Sequence, residues 1–194
     1  MRKWIGVICV FLGVVCLLSS VGFVFYTRWE SDNAAKVTKS LLEDIKCVTE
    51  NKNPVQNNFQ TTMPSVTVED YESIGILSIP VLDLELPILK DWSYAKLKKA
   101  PCHYYGSYHD KDFVIAAHNY KSHFGRLSEL QEGDLVIFTD TTGKAHYYEV
   151  AFLETLPKNA TKEMITSGFD LSLYTCTSGG GSRVTVRCIS SISH

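Results

Sequence analysis

The run from Trp4 to Tyr26 contains no Asp, Glu, Lys, Arg, His, Asn or Gln. Its 23 residues exceed the ~20 that a helix needs to cross a bilayer. Such a segment has no charged or amide side chains to present to water, so it predicts a membrane helix. Arg2 and Lys3 precede it, and Arg28, Glu30 and Asp32 follow. Positive charge concentrated on the N-terminal side places that end in the cytoplasm and everything after Arg28 outside. Trp4, Tyr26 and Trp29 stand where interfacial aromatics are expected. The alternative is a cleaved signal peptide, with Ser20-Val21-Gly22 as a weak cleavage site. The apolar run continues through Phe23-Val24-Phe25, which suits a retained single-pass anchor better. Cys16 follows Val15 rather than a small residue, which argues against a lipoprotein signal, and Cys9 and Cys16 read as apolar packing residues.

The chain of 194 residues leaves room for one compact domain beyond the anchor. A formal net charge of −2 excludes a whole-chain basic field for nucleic acid. With 45% apolar and 21% charged residues, a largely disordered chain is excluded as well. The six cysteines are scattered, and no C-x-x-C pair exists for a zinc ribbon or a thioredoxin-type site.

Three regions are expected: residues 1–28 as cytoplasmic tip and membrane anchor, 29–70 as an extracellular stalk, and 71–194 as the main domain. Within Ser31–Glu50, Ala34, Val37, Leu41, Ile45 and Val48 repeat at spacings of three and four, as on an amphipathic helix. This predicts a helical stalk, with a partner-binding helix as the alternative. Asn51 to Ser65 is polar, carries two prolines, and reads as a tether. The domain from Tyr71 is expected to fold alone.

From Tyr71 onward the pattern becomes short β-rich runs. Strands are expected at Ile74–Ile79, Leu84–Leu89, Asp112–His118, Asp134–Thr139, His146–Leu153, Leu171–Cys176 and Arg183–Ile189. Short helical turns fit Tyr94–Lys99, Phe124–Leu130 and Lys162–Ser167. Seven or eight short strands argue for a mainly β, closed or nearly closed barrel, with a sandwich as the alternative.

Cys176 ends one expected strand and Arg183 opens the next, with six residues between them, three of them glycine. Paired as a hairpin, their facing ends lie ~5 Å apart. A nearby cation favours the nucleophilic thiolate, and the same guanidinium can stabilise an oxyanion. Alternation puts Val184, Val186 and Cys188 on one face and Arg183, Thr185 and Arg187 on the other. Cys188 therefore reads as a core thiol, and Arg187 as a weaker candidate than Arg183. Phe113-Val114-Ile115-Ala116-Ala117 reads as a strand buried on both faces, ended by His118, which could supply acid/base chemistry.

The segment Ser172-Leu173-Tyr174-Thr175-Cys176, followed by Arg183 leading a β-branched run, resembles the active-site hairpin of the sortases. These are membrane-anchored cysteine transpeptidases of Gram-positive surfaces, with the pattern Thr-Leu-x-Thr-Cys and then Arg. Ser172 replaces the first Thr. Val114-Ile115-Ala116-Ala117-His118-Asn119 is similar to the family's strand ending in Gly-His, with Ala117 in place of Gly. Ile74-Gly75-Ile76-Leu77-Ser78-Ile79-Pro80 and Leu86-Pro87-Ile88 are similar to its opening strands. The likeness spans about residues 72 to 189.

It implies an eight-stranded sortase-type β-barrel with short helices. It further implies Cys176 as nucleophile, His118 as acid/base, Arg183 as substrate and oxyanion holder, and Thr175 and Asn119 as supporting residues. The implied partners are sorting-signal peptides similar to Leu-Pro-x-Thr-Gly and a peptidoglycan or pilin amine. No cofactor or metal is called for. His118-Asn119 with Phe124-Gly125 resembles class B, whereas the short stretch between Leu153 and Leu171 resembles class A or D. The tether lacks the Asp-Pro-aromatic signature of the class C lid.

The rivals are a papain-like hydrolase, in which Cys precedes His, a cysteine protease that only hydrolyses, and a non-catalytic extracellular β-barrel module for adhesion. A structural disulfide from Cys102 to Cys188 or Cys176 is a further alternative. Asp110, Asp112 and Glu132 could bind calcium, and a solvated acidic loop is the competing reading.

Overall fold

The computed structural model describes residues 2–50, 63–177 and 179–191. Its first element is a long helix, α1 (Arg2–Glu50). The chain divides into two compact units, Met1–Asn33 and the remainder from Ala34. In the first unit the helix exposes large apolar side chains all round, from Phe11, Leu12 and Leu17 to Phe25 and Trp29. It is long and apolar enough to cross a membrane and is a candidate anchor.

The second unit is a barrel with the rest of α1 packed on it. Its strands are β1 (Val66–Val68), β2 (Tyr71–Ile79), β3 (Leu84–Leu89), β4 (Cys102–Tyr105), β5 (Phe113–Ala117), β6 (Leu135–Asp140), β7 (Ala145–Pro157), β8 (Leu171–Cys176) and β9 (Ser182–Ser190). Two short helices, α2 (Tyr94–Leu97) and α3 (Thr161–Ile165), complete it. The spatial order is β2-β3-β4-β5-β8-β9-β7-β6, and pairing of β6 with β2 closes eight strands into the expected mainly β barrel. β1 extends the sheet beside the start of β2, opposite Tyr71–Ser73, and β6 takes over from Gly75. At that crossover Gly75 has φ +154, and a Cβ there would strike the Thr139 carbonyl oxygen, so the position tolerates no side chain.

Strand alternation fills the interior. Ile74, Leu77, Phe113, Ile115, Phe138, Leu171, Leu173, Val186 and Cys188 form one buried cluster inside the barrel. β5 is buried on both faces, as its unbroken apolar run predicts: Phe113, Ile115 and Ala117 point inward, while Ala116 belongs to a second cluster on the outside.

That second cluster revises the expected domain boundary. Residues 29–70 are not all stalk: Leu41 and Ile45 of α1, each 1% exposed, pack with Val66, Val68, Leu89, Leu97, Ala100, Cys102 and Ala116. Burying these two side chains contributes roughly 1.5–3 kcal/mol each. Val37 and Val48 flank them, and Lys46 adds a 2.6 Å ion pair to Glu85. The apolar stripe on Ser31–Glu50, expected as one face of a helical stalk, packs against the chain's own barrel. The folded unit begins at Ala34 rather than at Tyr71. The expected tether largely lies outside the described residues.

Candidate active site

The topology brings three strand ends to one place. β5 and β8 pair in parallel, an arrangement allowed because the β6–β7 hairpin crosses between them, so their C-terminal ends lie together. β9 returns antiparallel to β8, so its N-terminal end lies there too. In register, Ala117 faces Thr175 and Cys176 faces Arg183. His118 follows Ala117 directly, and neighbouring strands are ~4.8 Å apart. His118, Cys176 and Arg183, all half-buried, therefore gather at a single edge.

Thr175 fixes that arrangement. Its side chain, 2% exposed, donates a 2.9 Å hydrogen bond from Oγ1 to the Ala117 carbonyl, joining the ends of β8 and β5. Asn119 is exposed, one residue beyond His118. The turn between β8 and β9 closes through bonds from Thr177 N to Ser182 O (3.0 Å) and from Gly180 N to Thr177 O (2.8 Å). Gly179 and Gly180 adopt φ of +95 and +74, the left-handed conformations that the glycine run supplies. The Arg183 guanidinium donates to its own turn, to Ser182 O at 3.2 Å and Gly180 O at 3.4 Å, and among the described residues it has no acidic partner.

Beside this edge lies a cavity of about 200 Å³ on the outer wall of the barrel. Trp92, Tyr94, Tyr104, Lys158, Met164, Tyr174 and Arg183 contribute to its lining; Cys176 and His118 are outside it. Its aromatics form an edge-to-face chain, with centroid distances of 4.9 Å for Trp92–Tyr94, 5.8 Å for Trp92–Tyr104 and 5.5 Å for Tyr104–Tyr174. Sequence reasoning missed these residues. Three of them come from irregular or very short segments, where no periodicity marks a wall.

One wall, the stretch from Pro157 through α3, is pinned to the barrel. Arg187, 2% exposed, donates to Glu154 Oε1 at 2.7 Å, Ser172 Oγ at 2.8 Å and the Glu163 carbonyl at 2.8 Å. Asp112 Oδ1 accepts from Ser167 N, Ser167 Oγ and Gly168 N at 2.7–2.9 Å. That carboxylate, one of the calcium candidates, is thus engaged in closing a loop, while Asp110 and Glu132 are exposed. Among the described residues no group of three His, Cys, Asp or Glu side chains could hold a metal ion.

The structure rules out the structural-disulfide alternative. Cys102, Cys176 and Cys188 are free. Cys188 belongs to the interior cluster and Cys102 to the exterior one, so the sheet itself separates them. Burial pushes both thiols up to about 12.

The sortase domain model matches residues 77–190, well over half the chain. The chain belongs to the sortase family. It is accordingly an enzyme of the sortase, cysteine-transpeptidase type. Among solved structures it is similar to a sortase D5 transpeptidase of Clostridium perfringens, with TM-score 0.65 and 20% identity over 81% of this chain and 99% of that one. It is also similar to sortase A of Corynebacterium diphtheriae (TM-score 0.57, 21% identity, 86% and 85% covered). Sortase C1 of Streptococcus agalactiae follows (TM-score 0.57, 23% identity, 66% and 72% covered). At these identities the likeness establishes the sortase barrel and selects no class. A search of curated protein sequences finds no match.

Proposed function

We propose that this sortase is a membrane-anchored transpeptidase that cleaves a sorting signal similar to Leu-Pro-x-Thr-Gly and transfers the cleaved protein to a cell-wall or pilin amine. The observation that carries the reading is the register pair Cys176–Arg183, with Thr175 tied to Ala117 immediately before His118. The Cys176 sulfur adds to the Thr carbonyl carbon, and Arg183 stabilises the oxyanion. As the C–N bond breaks, His118 gives its proton to the leaving amine, which leaves a thioester on Cys176. An incoming amine then attacks the thioester, His118 takes its proton, and the thiolate departs. Splitting acyl transfer in this way replaces one hard step by two easier ones. Thr175 supports the pocket, Asn119 contacts the substrate, and the aromatic groove seats the signal.

The apolar helix up to Arg28 anchors the enzyme with its N-terminus in the cytoplasm and the barrel outside. Residues from Ala34 form the catalytic unit. The test is a peptide-library assay in the presence of glycine or lysine amines. Cleavage coupled to transfer, abolished in Cys176→Ala, is the expected result. Cleavage without transfer would make the protein a protease, and no turnover would make it a binding module.

A further inference from the structure

The His118 loop is held from two sides. Its far end is buried in the barrel interior by Phe124 and Leu127, each 1% exposed. Between them the backbone folds tightly: Phe124 N donates to His118 O at 3.3 Å, and His123 N and Gly125 N both donate to Tyr120 O, at 2.9 and 2.8 Å. A Cβ on Gly125 would lie 2.7 Å from that same Tyr120 oxygen, so the turn requires glycine there. The other side of the loop meets α1. Thr38 Oγ1 lies 2.8 Å from His123 Nε2, across 85 residues of sequence, and both side chains are buried.

The proton arrangement follows from the partners. Thr38 carries one hydroxyl hydrogen and gives it to the Lys99 carbonyl at 2.6 Å. Its oxygen must then accept from His123, which fixes the tautomer with hydrogen on Nε2. Burial, with the nearby His118 adding to it, lowers His123 to about 4, so the ring stays neutral and keeps this single donor role near neutral pH. From His123 the contact runs on through the Tyr120 ring, 5.4 Å away, to the His118 ring, 5.0 Å beyond.

We propose that Thr38 and His123 are positioning residues for His118: the hydrogen bond between helix and loop sets the orientation of the imidazole that moves protons at Cys176. The proposal rests on the role of His118 given above. It makes the helix that leads from the anchor a working part of the catalytic unit, not a spacer.

The test uses the full chain in detergent. Thr38→Val keeps the shape and removes the hydroxyl. Amide exchange at Phe124 and Gly125 should then quicken by about tenfold, the loss of one buried hydrogen bond. The kcat for transfer should fall about tenfold while KM for the sorting peptide stays within about twofold, because orientation and not binding is lost. Thr38→Ser should restore both. Wild-type exchange and wild-type kcat in Thr38→Val would overturn the proposal, as would equal losses in Thr38→Ser.

If Thr38→Val does not fold, His123→Phe, which removes the donor, and His123→Gln, which keeps one, decide the matter. A tenfold kcat loss in the first with the second within about threefold supports the proposal, and equal effects sink it. Exchange is read without turnover. A wild type that transfers no peptide would therefore defeat the transpeptidase reading while leaving the helix–loop attachment separately judged.

Discussion

The β8–β9 hairpin carries a cysteine and an arginine at each end, and the two ends have become chemically opposite. At the turn end Cys176 faces Arg183 in register, both half-buried on the outer face, and among the described residues the guanidinium donates to its own turn. At the far end Cys188 points into the barrel with no exposure, and Arg187 is sealed under Glu154, Ser172 and the α3 carbonyls. Residue type is therefore a poor guide to chemistry. Which face of a strand a side chain takes, and how near the strand end it lies, separates the pair proposed to react from a structural one.

Four substitutions test that contrast. Cys176→Ala should reduce kcat/KM for peptide cleavage by ~10³-fold or more without altering the melting profile, as measured by peptide turnover beside circular dichroism. Arg183→Ala should raise the barrier by about 2.7–4 kcal/mol, the cost of one oxyanion donor, again at unchanged stability. Arg187→Ala should do the reverse. Denaturant melts should show a loss of about 3 kcal/mol, because buried acceptors lose their donor, while kcat of the folded enzyme stays within about threefold. If Arg187→Ala damages turnover more than Arg183→Ala, the roles of the two ends are exchanged.

A pH-dependent effect is expected at Cys188. Its folded thiol, raised by burial from 9.0 to about 12, stays protonated in the pH range where the unfolded chain ionises. That contribution to stability is fully present below about pH 9 and is lost as pH rises toward 12. Cys188→Ala should flatten the alkaline decline in stability over that range, as followed by denaturant melts at rising pH.

Both ends of the hairpin were partly legible. Period-two alternation put Cys188 inside and Arg183 and Arg187 on one outer face, and the unbroken run Phe113–Ala117 announced a strand buried on both sides. Other features had no local signal. β1 and β4 are three and four residues long, and β4 meets β3 through one register pair, Leu89–Cys102. The stripe on α1 revealed a buried face without naming its partner, because helical periodicity reports burial and not what does the burying. The seal over Arg187 depends on Glu154, 33 residues away, and the groove collects Trp92, Tyr104 and Tyr174 from separate segments. Only tertiary structure brings such groups together.

The central claim is that chemistry occurs at the turn end of the hairpin, on one sulfur. Incubating the enzyme with a Leu-Pro-x-Thr-Gly peptide in the absence of an amine acceptor should trap the acyl group. Mass spectrometry should find its mass on the tryptic peptide Glu163–Arg183, which contains Cys176 as its sole cysteine. Cleavage that proceeds with no adduct on that peptide, or an adduct on Cys102 or Cys188 instead, would contradict the account.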